Sequence, residues 1–339
     1  MLDIKQWGFN SDNKANTMAR LVFFGTPDFA VVSLLSLKKF CDENNHELVA
    51  VITQPDQPQG RKQNLQACPV KIVAQDLGLL VLQPASLRKN TIDGDKFFVD
   101  FTNLKVDLAI VVAYGQIITQ RLLDAASLGF VNIHASILPH LRGASPIQHA
   151  LKEGLSTTGV CLMDMQLKLD AGDVFICQKA FILPKDTYET LSQRLSVIGA
   201  DLLKNNLAKL LKKELIKYPQ DEAKATYAPM IKKEDGLLDF NSYGKELQNK
   251  IRAHEPWPGS FAFINQKRVK FFDSFFLPTL FNNADFKPGE IISVNPYLAI
   301  KVKDGVVFFK AIQVEGKKIL PIKEAILGFN IKIKMFINC

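Results

Sequence analysis

An amide and an imidazole stand two residues apart at Asn132 and His134, in the apolar run 130–134. Side chains alternate across a strand, so both would point to the same side if this run is a strand. An amide NH₂ and a protonated imidazole both donate hydrogen bonds, which suits them to stabilise charge developing on a carbonyl oxygen. A strand-end histidine can also be a purely structural residue, and the spacing leaves this alternative open.

A carboxylate would complete such a group. Asp170 lies in a Leu-Asp-Ala-Gly-Asp stretch that predicts a tight turn between two strands, 159–165 and 174–181. A carboxylate beside the imidazole would hold its orientation, stabilise its charge and help to take a proton from an attacking amine. Ser136 and the cysteines lack the sequence context of an activated nucleophile, and direct transfer needs none. Together, Asn132, His134 and Asp170 would form a pocket at a strand end that stabilises an oxyanion.

The common signatures of metal and dinucleotide sites are missing from the sequence. The five histidines form neither H-E-x-x-H nor a Cys/His ligand cluster, so we expect no metal. The first apolar run leads into residues 25–30, which lack the G-x-G-x-x-G spacing that brings a pyrophosphate to a helix. Thr26 or Asp28 is expected to cap the helix that begins near Pro27.

The number and spacing of the cysteines indicate the cellular compartment of the protein. The five cysteines are odd in number and show no C-x-x-C spacing. We expect reduced thiols in a cytoplasmic protein, with Cys161 and Cys177 packed in the core among apolar neighbours.

Apolar runs with helix-like stretches between them indicate the fold class. The runs are nearly all apolar, which is typical of parallel strands that are covered by helices on both faces; they span 21–24, 48–53, 108–113 and 130–134. The expected fold is α/β, a Rossmann-like, doubly wound, mostly parallel sheet. Its ligands should collect at the carboxyl ends of the strands, near the point where strand order reverses.

A chain of 339 residues is long for one domain, and its composition changes along the sequence. Residues 1–19 are polar and predict a loose extension, which leaves open whether translation starts at Met1 or Met18. Residues 20–206 form the expected catalytic domain, and the polar stretch after a long helical pattern predicts a linker at 207–224. Short Phe, Val and Ile runs broken by turn residues then predict a small β-barrel at 225–339.

The charge of the chain points to an anionic partner. The net charge is +8, and residues 226–339 hold 17 Lys or Arg against 11 Asp or Glu. This excess of positive charge alone does not show whether the partner is a nucleic acid or a phosphorylated metabolite. Mean hydropathy is +0.04, and the apolar runs are far shorter than the roughly 20 residues of a membrane span. We expect no membrane association and no secretory signal.

Several motifs together resemble those of the formyltransferases that use 10-formyltetrahydrofolate. NIHASILPHLRGASPIQ at 132–148, followed by LDAGD at 169–173, is the most specific match. The resemblance extends, in the branch that acts on methionyl-tRNA, to FFGTPDFA at 23–30, TQPDQPQGRKQNL at 53–65, PVK at 69–71, YAPMIKKEDGLLDF at 227–240 and RAHEPWPGSF at 252–261.

The resemblance implies a Rossmann-like formyltransferase domain followed by a barrel similar to an OB-fold, which would bind tRNA. It assigns the catalytic roles to Asn132, His134 and Asp170. It implies that the folate, as the formyl donor substrate, lies against Ser136, Ile137, Leu138 and Pro139.

The family's tRNA-binding loop corresponds to residues 54–69. In the family this loop inserts into the acceptor stem, and Arg61 and Lys62 are its only basic residues here. The resemblance therefore assigns tRNA binding to Arg61 and Lys62, with more of the affinity expected from the basic second domain.

The implied reaction is transfer of the formyl group of 10-formyltetrahydrofolate to the α-amine of initiator methionyl-tRNA, by direct amine attack through a tetrahedral intermediate. A formyltransferase acting on an amino sugar nucleotide or on glycinamide ribonucleotide is the alternative, and the 53–61 motif favours tRNA. A non-catalytic nucleic-acid-binding protein would have no use for the three catalytic residues. A monomer is expected.

Overall fold

The computed structural model describes residues 18–59, 64–278 and 285–337. The predicted N-terminal extension, residues 1–19, therefore lies almost wholly outside the described residues. Within these ranges, none of the helices is both long and apolar enough to cross a lipid bilayer.

The first half of the chain alternates strands with helices. Its strands are β1 (Arg20–Gly25), β2 (Glu47–Ile52), β3 (Gln57–Gln59), β4 (Asn64–Gln66), β5 (Val81–Leu82), β6 (Leu108–Val112), β7 (Phe130–His134), β8 (Thr157–Asp164) and β9 (Val174–Phe181). Its helices are α1 (Asp28–Glu43), α2 (Pro69–Asp76), α3 (Ile92–Asn103), α4 (Gln120–Leu123), α5 (Pro146–Lys152) and α6 (Tyr188–Leu211).

The described strands of this half form one large sheet and one small hairpin. The sheet order is β5-β2-β1-β6-β7-β8-β9, and β3 pairs with β4. The strands from β5 to β7 are parallel, whereas β8 and β9 pair antiparallel. Strand order reverses between β1 and β6, so their carboxyl ends form the crevice expected of a doubly wound sheet.

Both faces of the sheet are buried, which explains why its strands are continuously apolar. On one face Phe23 packs in a core with Leu34 of α1 and Leu203 of α6. On the other face Phe24 contacts the rings of Phe97 and Phe101, which lie on α3. Successive residues of β1 therefore pack into the two cores on opposite faces of the sheet.

The second domain is an antiparallel strand domain, which together with the first confirms the predicted fold class. Its strands are β10 (Ser260–Ile264), β11 (Lys267–Pro278), β12 (Ile291–Ser293), β13 (Leu298–Val302), β14 (Gly305–Val314) and β15 (Leu320–Pro321), and its helices are α7 (Gly244–Ala253) and α8 (Ile322–Gly328). The described order is β10-β11-β14-β13-β12, with β15 beside β14. Leu247 and Ile251 of α7 pack with Phe271 and Phe309 in a separate core.

The chain between α6 and the second domain runs along the first domain. We call residues 212–229 the connector. Helix α6 begins at a capping box formed by Thr187 and Thr190 and continues through Leu211, so the first part of the predicted 207–224 linker is helical. The connector pairs with β9 through Tyr218 and Val174, and with the loop after β7 through Tyr227 and Arg142. Helix α5 packs against α7 and joins the two domains.

The prediction of reduced thiols is wrong for two of the cysteines, because Cys161 and Cys177 form a disulfide. Antiparallel pairing of β8 with β9 sets the two residues directly opposite each other, with their Cα atoms 4.0 Å apart. Their packing among apolar neighbours is as expected, since Leu138 and Met163 lie in the same cluster. Cys41 and Cys68 are free.

Candidate active site

Asn132 and His134 lie at the carboxyl end of β7, on the same side of the sheet. In the antiparallel pairing with β8, Asn132 is opposite Met163 and His134 is opposite Cys161. His134 is buried, while Asn132 is partly exposed. The strand therefore presents both side chains where the sequence predicts them, next to β6, which borders the point at which strand order reverses.

The imidazole of His134 is fixed by the backbone of the following loop. Its Nε2 lies 3.0 Å from the carbonyl oxygen of Leu141. Because a carbonyl only accepts, Nε2 donates, and Nδ1 faces the carboxylate of Asp170 with 3.7 Å to Oδ2. Leu141 adopts a left-handed conformation with φ of 59°, which is uncommon for a residue with a branched side chain. This conformation turns its carbonyl towards the ring.

The Asp170 oxygen that faces His134 is also held by the backbone of the loop after β7. Its Oδ2 accepts a hydrogen bond of 2.7 Å from the backbone N–H of Gly143. The backbone of Asp170 is also left-handed, with φ of 48°, a conformation that aspartate tolerates better than most residues. A side chain at Gly172 would overlap the backbone of Asp164, so the turn that carries Asp170 needs glycine there. The carboxylate thus sits in a rigid turn.

The residues that follow His134 form a locked turn with an apolar surface. The Ser136 hydroxyl donates to the carbonyl of His140 over 2.6 Å, and the His140 N–H donates to Ile137. Leu138 is buried against Met163, with Ile137 packed beside it, and Pro139 is partly exposed. The four predicted folate-binding residues, 136–139, therefore lie next to the imidazole and combine apolar side chains with one satisfied hydroxyl.

Side-chain hydrogen bonds also join the segments that follow the strands at the crevice where strand order reverses. The Thr26 hydroxyl donates to the carbonyl of Tyr114 over 3.0 Å, and the Gln54 side-chain amide donates to the same carbonyl over 3.0 Å. The predicted capping role of Thr26 and Asp28 is not observed, because Pro27 is the N-cap of α1 and no side chain caps it. Thr26 instead joins the ends of β1 and β6.

The 54–69 loop is a hairpin with an ion-paired base. Strands β3 and β4 form its arms, and its tip, including Arg61 and Lys62, lies outside the described residues. At the base, Lys71 of α2 contacts the Asp56 carboxylate at 2.7 Å. Gln83 accepts from the same ammonium and donates to Asp56 Oδ1 over 2.9 Å. The hydrogen bond from Lys71 is the main reason that the pKa of Asp56 is lowered.

A buried arginine that was not predicted from the sequence lies beside this site. Arg142 follows Leu141 and is fully buried. Its guanidinium donates to Gln220 and Glu222 of the connector, and Gln220 in turn donates to the turn of Asp170. The hydrogen bond from Arg142, with a second from Lys168, lowers the pKa of Glu222 to about 2. The local sequence offers only an Arg-Gly pair in a loop, and such a pair does not predict that the arginine is buried.

The assembled site can stabilise an oxyanion and move a proton. Asn132 supplies an amide, His134 an oriented imidazole, and Asp170 a carboxylate that faces the imidazole. Hydrogen-bond donors aimed at developing charge, with an acid-base pair beside them, are what acyl transfer to an amine requires.

Comparison with known proteins agrees with this chemistry. The sequence profile described as "Formyl transferase" matches residues 19–207, and the one described as "Formyl transferase, C-terminal domain" matches residues 230–330. The methionyl-tRNA formyltransferase of Sulfurihydrogenibium sp. is 40% identical over 92% of this chain and 98% of that protein. The methionyl-tRNA formyltransferase of Geobacter sulfurreducens is 37% identical over 92% of this chain and 95% of that protein.

Solved structures share the fold at lower identity. An N-formyltransferase from Helicobacter canadensis, solved with folinic acid and dTDP-3-aminofucose, has a TM-score of 0.64 at 18% identity and covers 86% of this chain and 99% of that chain. HypX from Aquifex aeolicus, solved with tetrahydrofolic acid, has a TM-score of 0.61 at 18% identity and covers 94% of this chain and 48% of that chain. With both profiles matched in order and the relatives aligned almost end to end, the chain belongs to the formyl transferase family.

Proposed function

We propose that the protein transfers the formyl group of 10-formyltetrahydrofolate to the α-amine of initiator methionyl-tRNA. The observation that carries this proposal is the juxtaposition of Asp170 with His134 at the end of β7, which also carries Asn132. The chain is also 40% identical to a methionyl-tRNA formyltransferase over 98% of that protein's length. The proposed setting is the cytoplasm, and the proposed state is a monomer.

The proposed donor site is the segment 136–139 with the neighbouring crevice. Its buried Leu138 and partly exposed Ile137 offer an apolar surface beside the imidazole, which suits the flat ring system of a folate. The folate supplies the formyl group when bound. No metal takes part in the proposed reaction.

In the proposed mechanism the amine attacks the formyl carbon directly. Asn132 and the Nδ1–H of protonated His134 donate hydrogen bonds to the oxyanion of the tetrahedral intermediate; at 3.7 Å from Asp170, Nδ1 is beyond hydrogen-bond distance of the carboxylate and its proton is available. Leu141 holds the imidazole through Nε2, which leaves Nδ1 on the side of Asp170. Asp170 stabilises the imidazolium and assists movement of a proton from the amine towards the departing N10 nitrogen of the folate.

For the acceptor, we propose that the second domain binds tRNA together with the hairpin that ends in Arg61 and Lys62. The 17 basic against 11 acidic residues after position 225 support an anionic partner, because cations that contact phosphates supply most of the affinity for nucleic acids. The division into a catalytic domain at 20–206, a linker at 207–224 and a tRNA-binding domain at 225–339 remains part of this proposal.

Formylation assays with different acceptors test the proposal. With 10-formyltetrahydrofolate as donor, we expect rapid formylation of initiator methionyl-tRNA, much slower reaction with an aminoacylated elongator tRNA and none with free methionine. A dTDP-amino sugar serves as the competing acceptor, since a solved relative by fold was crystallised with one. Preference for the sugar nucleotide or for free amino acids over the tRNA would refute the proposal.

A further inference from the structure

Gln220 bridges the two loops that hold His134 and Asp170 in place. Its side-chain Nε2 donates to the carbonyl oxygens of Asp170 and Gly172, over 2.8 and 2.6 Å. Its Oε1 accepts two hydrogen bonds from the guanidinium of Arg142, over 3.0 and 2.9 Å. We propose that Gln220 is a positioning residue of the formyl transfer reaction, which sets the Asp170 carboxylate against His134; this inference rests on the proposed function.

Only one orientation of the Gln220 amide satisfies these four hydrogen bonds. The guanidinium of Arg142 can only donate, and the two backbone carbonyls can only accept. The oxygen of the amide must therefore face Arg142, and its NH₂ group must face the turn. Because Arg142 is fully buried and also pairs with Glu222 at 2.8 Å, its guanidinium has little freedom to move. Arg142 thus fixes Gln220, and Gln220 fixes the turn.

The turn needs such support because of its conformation. Asp170 is left-handed, and a residue with a side chain is strained in that region and keeps the conformation only where the surroundings hold it there. Gly143 holds the carboxylate through Oδ2, and Gln220 holds the backbone on either side of Ala171. Without Gln220 the backbone of the turn loses this support, and the carboxylate, held then by Gly143 alone, can shift from its place beside His134. A displacement of about 1 Å in a catalytic group can cost on the order of 10²-fold in rate.

Two substitutions at Gln220 separate positioning of the turn from support of the buried arginine. Gln220→Leu removes both functions. Gln220→Glu keeps an acceptor for Arg142 but removes the N–H donors, so two carbonyl oxygens then face a carboxylate. We expect both variants to lower kcat by about 10-fold or more, with KM for each substrate within about twofold of the original. The pH profile of kcat should change as well, because the His134–Asp170 contact changes.

The matched control is Gln178→Leu on β9, an exposed glutamine that bonds only the neighbouring carbonyl of Lys179 among the described residues; it should leave kcat unchanged. Thermal unfolding of each variant reports whether it folds. Gln220→Glu that folds and keeps the original kcat and pH profile would overturn the proposal, since it would leave Gln220 only the role of satisfying Arg142.

A double-substitution cycle distinguishes failure of this inference from failure of the proposed function. If Gln220 acts through Asp170, Gln220→Leu should lower kcat by less than about twofold in an Asp170→Asn background. An equal loss in both backgrounds would overturn the inference and leave the function intact. Asp170→Asn with near-original kcat would instead refute the catalytic assignment on which the inference rests.

Discussion

His134 is fixed by groups that come from two different parts of the chain, the loop after β7 and the turn between β8 and β9. Leu141 accepts from Nε2, Asp170 faces Nδ1, and Gly143 holds Asp170. Two of the residues in these contacts, Leu141 and Asp170, have left-handed backbones. Unfavourable backbone conformations at a site are maintained only where the surroundings enforce them. The side chains are therefore ordered before substrates bind, which is the arrangement that electrostatic stabilisation of an oxyanion requires.

Removal of one oxyanion donor tests the catalytic assignment at the residue scale. We expect His134→Ala to lower kcat for formyl transfer by about 10²–10³-fold, the usual effect of losing such a donor. Single-turnover formylation with saturating folate measures the chemical step. His140→Ala is the matched control, because His140 lies in the same loop with an exposed side chain. A His134→Ala rate close to the original would contradict the mechanism.

Strand alternation was enough to predict that Asn132 and His134 share a side of the sheet, because that periodicity is local. The contacts that fix them were not predictable in the same way. Gly143 and Gln220 lie 27 and 50 residues away from Asp170 along the chain, and no local pattern records such contacts. Gln220 also lies in a polar segment that predicts a linker. Neither its residue type nor its position in the sequence therefore indicated a role near the site.

At the scale of elements, the β3–β4 hairpin projects from the sheet on a base of polar side chains. Lys71 and Asp56 pair there, and Gln83 contacts both of them and donates to the carbonyl of Gln54. Lys71 follows the hairpin in sequence and Asp56 precedes it, so the pair closes the loop at its two ends. We expect this closure to orient the hairpin for contact with tRNA.

Breaking the Lys71–Asp56 pair should weaken binding of the tRNA acceptor more than binding of the folate. For Lys71→Met we expect KM for methionyl-tRNA to rise by at least about fivefold, since a hydrogen bond to a charged group is worth about 1 kcal/mol or more. KM for the folate should stay within about twofold. Lys39→Met is the control, because Lys39 forms an exposed pair within α1. Equal changes in both KM values would show that Lys71 has a general structural role instead.

The elements themselves were largely predictable from apolar periodicity. Strands β1, β6 and β7 lie where continuous apolar runs indicate buried parallel strands. The disulfide between Cys161 and Cys177 was not predictable, since it depends on the register of β8 against β9. Register is set by packing of the whole sheet rather than by the residues of one strand.

At the scale of the whole molecule, polar side chains that are partly buried help to join the two domains. Arg252 of α7 donates to the carbonyls of Leu183 and Asp186 in the first domain, and His149 of α5 bonds the carbonyl of Pro229. His254 is fully buried at the end of α7, and among the described residues neither ring nitrogen has a hydrogen-bond partner. Burial, with nearby Lys250 and Lys152, lowers the pKa of His254 to about 4.

His254 should make the folded state sensitive to acid. The unfolded histidine takes up a proton near its ordinary pKa of 6.5, whereas the folded one does so only near about 4. Between these values the unfolded state binds more protons, so stability falls as the pH decreases from about 6.5. The loss should reach up to about 3 kcal/mol by pH 4. Calorimetric melting of the original protein and of His254→Gln at several pH values measures it. Equal pH dependence of both proteins would contradict this expectation.

The path of the connector limits how hybrid enzymes can be built from relatives in this family. A hybrid joined at the end of α6 would take Gln220 and Glu222 from the donor of the second domain, while Arg142 and Asp170 came from the donor of the first. The hydrogen bonds from the buried Arg142 to Gln220 and Glu222 would then join residues from different parents. A hybrid joined after Ala228 keeps all of these residues, and the strand pairing of Arg142 with Tyr227, from a single parent. The useful boundary for exchange is therefore set by side-chain contacts rather than by the end of the last helix.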